Sequence, residues 1–218
     1  MRRISLIMVP LLFVLCFGSS VQAAEMWEKG RHYKELEIPV KTRDASKIEV
    51  VEVFWYGCPH CYEFNNNHLP KWEENLPKDV DFWMVPATFP GWVEHAKAFY
   101  AAEFLGVLKQ LHQPLFDAIQ KSPRKYKDVE DLKDVFIANG VKSEDFDKVF
   151  EASGFRKISK VDEAVKKVRE RIKSYRISGV PALIVNGKYK IGVRDAGNFV
   201  NMLKIANFLI AKERASMK

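Results

Sequence analysis

The feature that most constrains this chain is an apolar segment that leads directly into a pair of cysteines. Segment 48–56 is rich in β-branched and aromatic residues, ends at Gly57, and is followed by the tetrapeptide Cys58-Pro59-His60-Cys61. This composition predicts a strand, and its nearly continuous apolar second half predicts a central one. Proline suits the first turn of a helix, where its missing N–H is not needed. The sequence therefore predicts a strand–helix junction that carries both cysteines.

The remaining hydrophobic periodicities predict a mixed α/β protein with a block of helices in its middle. Asn186-Gly187 is typical of a two-residue hairpin turn, and Ser143 is typical of a helix N-cap. The order strand–helix–strand, helices, hairpin, helix indicates one α/β sheet with a helical insertion. The expected elements are a helix from 59 towards 75 broken near 70, a strand over 80–85, helices over 93–105, 108–121, 129–138, 143–154 and 159–175, strands over 182–185 and 188–191, and a helix over 197–212.

The first 23 residues are typical of a secretory signal peptide rather than of a folded segment. Arg2 and Arg3 precede an apolar run over 4–17, and small and polar residues follow up to Ala23. The alternative is an uncleaved membrane anchor, but the run is shorter than the roughly 20 residues that span a bilayer. We therefore expect cleavage after about Ala23, export to the periplasm, and a mature chain of 24–218.

The charge pattern argues against a nucleic-acid partner. The formal charge of the full chain is +7, and loss of the two leader arginines lowers it to +5. Lysine and arginine are interleaved with acids, as over 125–133 and 157–173, which is typical of solvated helix faces.

Only two cysteines remain in the mature chain, because Cys16 leaves with the leader. A bridge between Cys58 and Cys61 would constrain the unfolded chain very little, so a structural role is disfavoured. Export to an oxidising compartment favours redox chemistry. A zinc site would need two further ligands, and the other histidines of the mature chain are scattered. Haem attachment would need a histidine at position 62, which is Tyr62.

The two cysteines are expected to have different roles. Helix N-terminal N–H groups carry partial positive charge, so a thiolate at Cys58 is stabilised and its pKa is lowered. His60 adds a positive charge or a donor beside this sulfur. Cys61 lies one turn later on the same face, with a more enclosed sulfur. We expect Cys58 to be the exposed attacking sulfur and Cys61 the resolving one. A stabilised thiolate also makes the disulfide easy to reduce, as in an oxidant.

Taken together, the junction and several further stretches resemble the DsbA family of thiol–disulfide interchange proteins. The further stretches are 50–53, 131–140, Gly179-Val180-Pro181-Ala182 and 185–189. The resemblance implies a thioredoxin-like fold, with a core over about 24–88 and 178–218 and a helical insertion over about 89–177. DsbA proteins are themselves the standard example of a low-pKa cysteine and a strong oxidant. The expectation of an easily reduced disulfide therefore rests partly on the resemblance.

The resemblance also implies roles for individual residues. Cys58 is the implied nucleophile, Cys61 its partner, and His60 the residue that tunes the thiolate. Pro181 is the implied cis-proline facing the disulfide, with Val180 beside it in contact with substrate. On sequence alone an X-Pro bond is usually trans.

Glu52 matches a buried acid that assists proton transfer at the buried thiol. An acid in an otherwise apolar strand would have its pKa raised by burial. The alternative for Glu52 is an acid on an edge strand or at the surface. A weaker hypothesis assigns Trp55, Tyr56, Phe89 and above all Trp92 to an apolar surface for unfolded chains, with the core as the alternative.

The expected function is that of a periplasmic dithiol oxidase acting on reduced cysteines of unfolded exported polypeptides. The resemblance implies a DsbB-type inner-membrane re-oxidase as partner, and neither a metal nor an organic cofactor. We expect a monomer. The alternatives are a disulfide isomerase or reductase of the same fold, or a redox-inert periplasmic binding module such as a chaperone or metal carrier.

Overall fold

The part of the chain that the structure describes begins at Met26. The structure is a computed structural model, and it describes residues 26–122, 126, 128–152 and 158–217. The predicted signal peptide and its cleavage after Ala23 lie outside these residues. Within them, no helix combines the length and the apolar character needed to cross a bilayer.

Strands and helices follow one another largely in the predicted order. Within the described residues they are β1 (Lys34–Glu35), β2 (Ile48–Phe54), α1 (Pro59–Asn67), α2 (Leu69–Glu74), β3 (Val80–Pro86), α3 (Val93–Phe104), α4 (Leu108–Lys121), a 3₁₀ turn (Glu130–Leu132), α5 (Lys133–Ala138), α6 (Ser143–Phe150), α7 (Lys160–Ser174), β4 (Ala182–Val185), β5 (Tyr189–Gly192), α8 (Val193–Ala196) and α9 (Phe199–Ser216).

The five strands form one mixed sheet in the order β1-β5-β4-β2-β3. β2 runs parallel to β3 and antiparallel to β4, so it is a central strand as predicted. Helices α3 to α7 all lie between β3 and β4 along the chain, which confirms the helical insertion.

Every residue of β2 is buried, because the sheet is covered on both faces. Val51 and Val53 pack into an apolar cluster with residues of the insertion helices α3, α4 and α7. Ile48 and Val50 alternate with them and pack into a second cluster, formed mainly with α9. The alternation follows from the two-residue period of a strand. It places the C-terminal end of β2, and the cysteines beyond it, between two apolar layers.

Three local details differ from the sequence expectations. β2 ends at Phe54 rather than at Tyr56, because the chain turns before α1. Ser143 lies inside the first turn of α6 instead of capping it, because the extended residue Lys142 is the N-cap. β1 and α8 were not predicted, since elements of two and four residues have no readable periodicity.

The predicted hairpin turn at Asn186-Gly187 is confirmed. Both residues have positive φ, of 50° and 61°, as a type I′ turn requires. Gly187 also lies against backbone, since a Cβ there would be 1.9 Å from the carbonyl oxygen of Val40. The Val40 N–H donates to the Gly187 carbonyl at 2.8 Å. This turn therefore has no room for a side chain at its second position.

We expect Gly187→Ala to lower the free energy of unfolding by about 1–3 kcal/mol, through left-handed backbone strain and displacement of Val40. Urea unfolding of the mature protein measures the change. Gly179→Ala is the control, because its Cβ would enter open space. Equal midpoints for the two variants would contradict the close approach at Gly187.

Candidate active site

Cys58 lies at the point where the chain leaves the sheet and begins α1. It is the N-cap residue, with extended backbone (φ −93°, ψ 116°), and Pro59 is the first helical residue as predicted. The Cys61 N–H donates to the Cys58 Sγ at 3.4 Å. The Cys58 thiol faces the carbonyl oxygen of Val180 at 3.7 Å. Both cysteines are free thiols, so the structure holds the reduced pair.

The surroundings shift the pKa values of the two thiols in opposite directions. The pKa of Cys58 is lowered to about 6, chiefly by a hydrogen bond from the Cys61 side chain, with further help from the backbone N–H groups of Cys61 and His60. Burial opposes this shift. The pKa of Cys61 is raised well above its usual value, first by burial and then by donation to Cys58. At neutral pH the thiolate therefore belongs to Cys58.

The exposure of the two cysteines differs less than the sequence suggests. Cys58 is 9% exposed and Cys61 is fully buried. The direction agrees with the expectation, but Cys58 is largely enclosed rather than exposed. The neighbouring His60 side chain is exposed, with its ring centroid 6.4 Å from that of Phe199.

Glu52 lies in the middle of β2 and is fully buried, so the alternative of an edge or surface acid is wrong. Its Oε1 accepts a hydrogen bond of 2.8 Å from the Asn65 amide. Its Oε2 has no hydrogen-bond partner among the residues that the structure describes. Burial raises the pKa of Glu52 to about 8, and the Asn65 hydrogen bond moderates this shift. The carboxyl can thus gain or lose a proton near neutral pH.

A hydrogen-bonded chain runs from Glu52 into the helical insertion, and the sequence did not reveal it. The Asn65 Oδ1 is 3.1 Å from His112 Nε2, and His112 Nδ1 is 2.9 Å from the Tyr56 hydroxyl. The only sequence signal was that Asn65 lies one turn after Cys61 on the same helix face. In the sequence, His112 is one of the scattered histidines.

The Val180–Pro181 peptide bond is cis. The Val180 carbonyl lies beside Cys58. Next to it lies a pocket of about 420 Å³. His60, Lys190 and Arg194 line this pocket together with residues 178–182. The predicted residues Cys58, Cys61, His60, Val180 and Pro181 are therefore brought together at one end of the sheet.

The aromatic residues around the site form a stack that is partly buried against the core. The Trp55 and Trp92 rings are parallel, 4.1 Å apart, and Phe89 meets Trp92 edge-on. Gly57 lies under the Trp55 indole, where a Cβ would be 2.2 Å from the ring. A role of Trp92 in binding unfolded chains stays a prediction.

Comparison with known sequences identifies close relatives over nearly the whole chain. A family model described as a DSBA-like thioredoxin domain matches residues 73–204. The thiol:disulfide interchange protein DsbA of Pseudomonas syringae pv. tomato is 41% identical over 214 residues, covering 98% of this chain and 97% of that protein. The protein of the same name from Escherichia coli K12 is 31% identical, covering 88% and 86%.

Comparison with solved structures also identifies DsbA proteins. The crystal structure of Pseudomonas aeruginosa DsbA matches with a TM-score of 0.80 and 38% identity, covering 89% of this chain and 98% of that one. A Proteus mirabilis DsbA variant with a non-covalently bound peptide PWATCDS matches with a TM-score of 0.65 and 28% identity, covering 85% and 98%.

We expect the alkylation rate of the reduced protein to rise with pH around a midpoint near 6, because the Cys58 thiolate is the reacting species. Cys61 should remain unmodified, since its thiol is buried and its pKa is raised. Iodoacetamide labelling followed by peptide mass spectrometry measures both. A midpoint near 8.5, the value of a free thiol, would contradict the stabilisation of Cys58 by the start of α1.

Proposed function

The chain belongs to the DsbA family of thioredoxin-like proteins, and from this premise we propose that it is a periplasmic dithiol oxidase that passes a Cys58–Cys61 disulfide to exported polypeptides. The observation that carries the proposal is the opposite shift of the two thiol pKa values. A low-pKa thiolate at Cys58 stabilises the reduced pair, so the disulfide is readily given away. A reductase needs the reverse poise.

In the first step, a substrate thiolate attacks the Cys58 sulfur of the disulfide. The S–S bond breaks, and the Cys61 sulfur leaves with the bonding electron pair. Because Cys61 is buried and its thiolate is disfavoured, it takes a proton from the neutral Glu52 carboxyl. The product is a mixed disulfide between the substrate and Cys58.

In the second step, a second substrate thiolate attacks the substrate sulfur of the mixed disulfide. The substrate disulfide forms, and Cys58 leaves as the thiolate that the start of α1 stabilises. Two electrons have passed from the substrate cysteines to the protein. The Glu52 carboxylate regains its proton from the protons that the substrate thiols released.

The segment around Pro181 supports a binding role for Val180 and Pro181. An extended substrate would lie across this segment, beside Cys58 and over the adjoining 420 Å³ pocket. The peptide seen on the Proteus mirabilis relative contains a cysteine, in keeping with such a mode. We propose that His60, exposed at the pocket wall, tunes the thiolate and contacts the bound chain.

Location and partners follow from the leader and the chemistry. We propose that residues 1–23 direct export and are removed after Ala23, and that a DsbB-type membrane protein re-oxidises the reduced pair after each turnover. In the proposed division of the mature chain, the core over 24–88 and 178–218 carries Cys58, Glu52 and Pro181. The insertion over 89–177 covers them.

We expect Cys58→Ser to abolish oxidation of a reduced two-cysteine peptide, whereas Cys61→Ala should accumulate the mixed disulfide when incubated with a peptide disulfide. Gel shift and mass spectrometry follow both.

Equilibration of the wild type with glutathione should give a potential less negative than about −180 mV. About −120 mV is the standard DsbA value rather than one derived from this chain. A potential near the thioredoxin value of about −270 mV would favour a reductase.

We expect Glu52→Gln to slow re-oxidation roughly 100- to 10,000-fold at the step in which the Cys61 thiol resolves a mixed disulfide, because its proton acceptor is lost. Stopped-flow kinetics with a small disulfide measures this step. The Cys58 alkylation midpoint should stay near 6, which serves as the internal control.

The same variant should remove a pH dependence of stability. The folded protein holds the Glu52 proton up to about pH 8, against an ordinary value of 4.5. The folded state therefore binds more protons in this window, and the free energy of unfolding falls as pH rises through it. Identical pH–stability curves for reduced wild type and Glu52→Gln would contradict the raised pKa.

A further inference from the structure

We propose that Asn65, His112 and Tyr56 are positioning residues that hold the Glu52 carboxyl in one orientation and fix which of its oxygens carries the proton. The inference rests on the proposed role of Glu52 in proton transfer. It assigns a role in proton transfer to Asn65 of α1 and to His112 of α4, a helix of the insertion.

The orientation of the Asn65 amide follows from its two acceptors. Its Nδ2 lies 2.8 Å from Glu52 Oε1 and 3.0 Å from the Cys61 carbonyl oxygen, so both hydrogens of the amide are used. The Asn65 Oδ1 must then accept, and the group facing it is His112 Nε2 at 3.1 Å. His112 therefore carries its hydrogen on Nε2.

The tautomer of His112 is completed by Tyr56. With hydrogen on Nε2, the His112 Nδ1 is an acceptor, and the Tyr56 hydroxyl donates to it at 2.9 Å. Burial lowers the pKa of His112 to about 4 and raises that of Tyr56, so both are neutral at pH 7. Every hydrogen bond of the chain therefore points in one direction, from Tyr56 through His112 and Asn65 to Glu52.

The direction of these hydrogen bonds determines which carboxyl oxygen of Glu52 carries the proton. Because Oε1 accepts from Asn65, the proton of the neutral acid must lie on Oε2, the oxygen with no partner among the described residues. If His112 no longer donates, Asn65 loses one of the three hydrogen bonds that hold its amide, and its donation to Glu52 Oε1 is less firmly oriented. Donation to the carboxylate lowers the pKa of Glu52, so weaker donation raises it.

The insertion helix α4 is held against this site by further contacts. The Gln120 amide donates to the Tyr56 carbonyl at 2.6 Å, and the Tyr62 hydroxyl donates to Asp117 at 2.8 Å. His112 thus sits on a helix that is anchored at both Tyr56 and α1.

Besides His112, the ionisable groups coupled to Glu52 are Tyr56, Cys58 and Cys61 at or before the start of α1 and Glu73 on α2. The pKa of Tyr56 is raised by burial, so its replacement by Phe removes no charge near neutral pH. The charges of the other groups are unchanged in His112 and Tyr56 variants. A shift in the titration of Glu52 therefore reports on the hydrogen bonds from Tyr56 through His112 and Asn65.

The test follows the Glu52 titration in the mature reduced protein. The infrared C=O band of the neutral acid, identified as the band lost in Glu52→Gln, is followed from about pH 5 to about pH 10. We expect His112→Phe and Tyr56→Phe each to raise its midpoint by about one pH unit, and to slow Cys61 resolution about tenfold at pH 7. Tyr56→Phe removes a single oxygen atom that does not touch Glu52, so lost packing would not produce this shift.

Two further variants control the result. His112→Gln keeps a donor and an acceptor and should restore a midpoint close to that of the wild type. Gln113→Ala removes the neighbouring side chain of α4. The Gln113 amide donates to Asp117 and not to Tyr56, His112 or Asn65, so the Glu52 midpoint should be unchanged.

Failure of this inference is distinguishable from failure of the proposed function. An unchanged Glu52 midpoint in Tyr56→Phe and His112→Phe, both folded by circular dichroism, overturns the positioning chain even if the wild type oxidises peptides. A wild type that does not oxidise peptides overturns the function, whatever the midpoints are.

Discussion

Donation from Cys61, by its thiol and by its backbone N–H, to the Cys58 sulfur is the interaction on which the rest of the site depends. The donation from the N–H exists because Cys58 is the N-cap of α1, where N–H groups have no partner within the helix. Pro59 at the first helical position lacks an N–H and leaves the later ones to the sulfur. The buried strand β2 fixes where this helix begins, so sheet packing and thiolate stabilisation are parts of one arrangement.

That arrangement separates the two sulfurs although they lie only three residues apart. Cys58 meets the start of the helix and keeps slight exposure, whereas Cys61 is turned into the core. A buried thiol needs a proton acceptor that is also buried, and an isolated carboxylate in the core is costly. In the proposed mechanism Glu52, with a pKa of about 8, meets this need because it is neutral through most of the physiological range and still titrates close to it.

The sequence predicted what depends on neighbours along the chain. The strand–helix junction, the Asn186-Gly187 turn and the central position of β2 all follow from local composition. The Val180 carbonyl beside Cys58 comes from 122 residues away, and the hydrogen bond between His112 and Asn65 spans 47 residues. No periodicity carries such pairings, so only family resemblance placed Pro181 and Glu52 at the site.

His112 shows why such a residue escapes sequence reasoning. It lies on α4 next to the buried residue Leu111, and it has no ligand spacing that would mark it as functional. Its significance comes from the neutral hydrogen bonds on both ring nitrogens, which exist only in the folded chain.

The two halves of the site therefore depend on different physics. The pKa of Cys58 is lowered locally, by the Cys61 thiol and by the N–H groups at the start of α1. In the proposed mechanism, the proton that accompanies the electrons depends on more distant groups, which are neutral at pH 7 and transmit orientation rather than charge. In the proposed chain, the helical insertion reaches the proton step through His112, while the low pKa of Cys58 is made by residues 58–61 themselves. A change in α4 should then alter the rate of Cys61 resolution without altering the reactivity of Cys58, because the largest cause of the Glu52 shift is burial and that of the Cys58 shift is donation from Cys61.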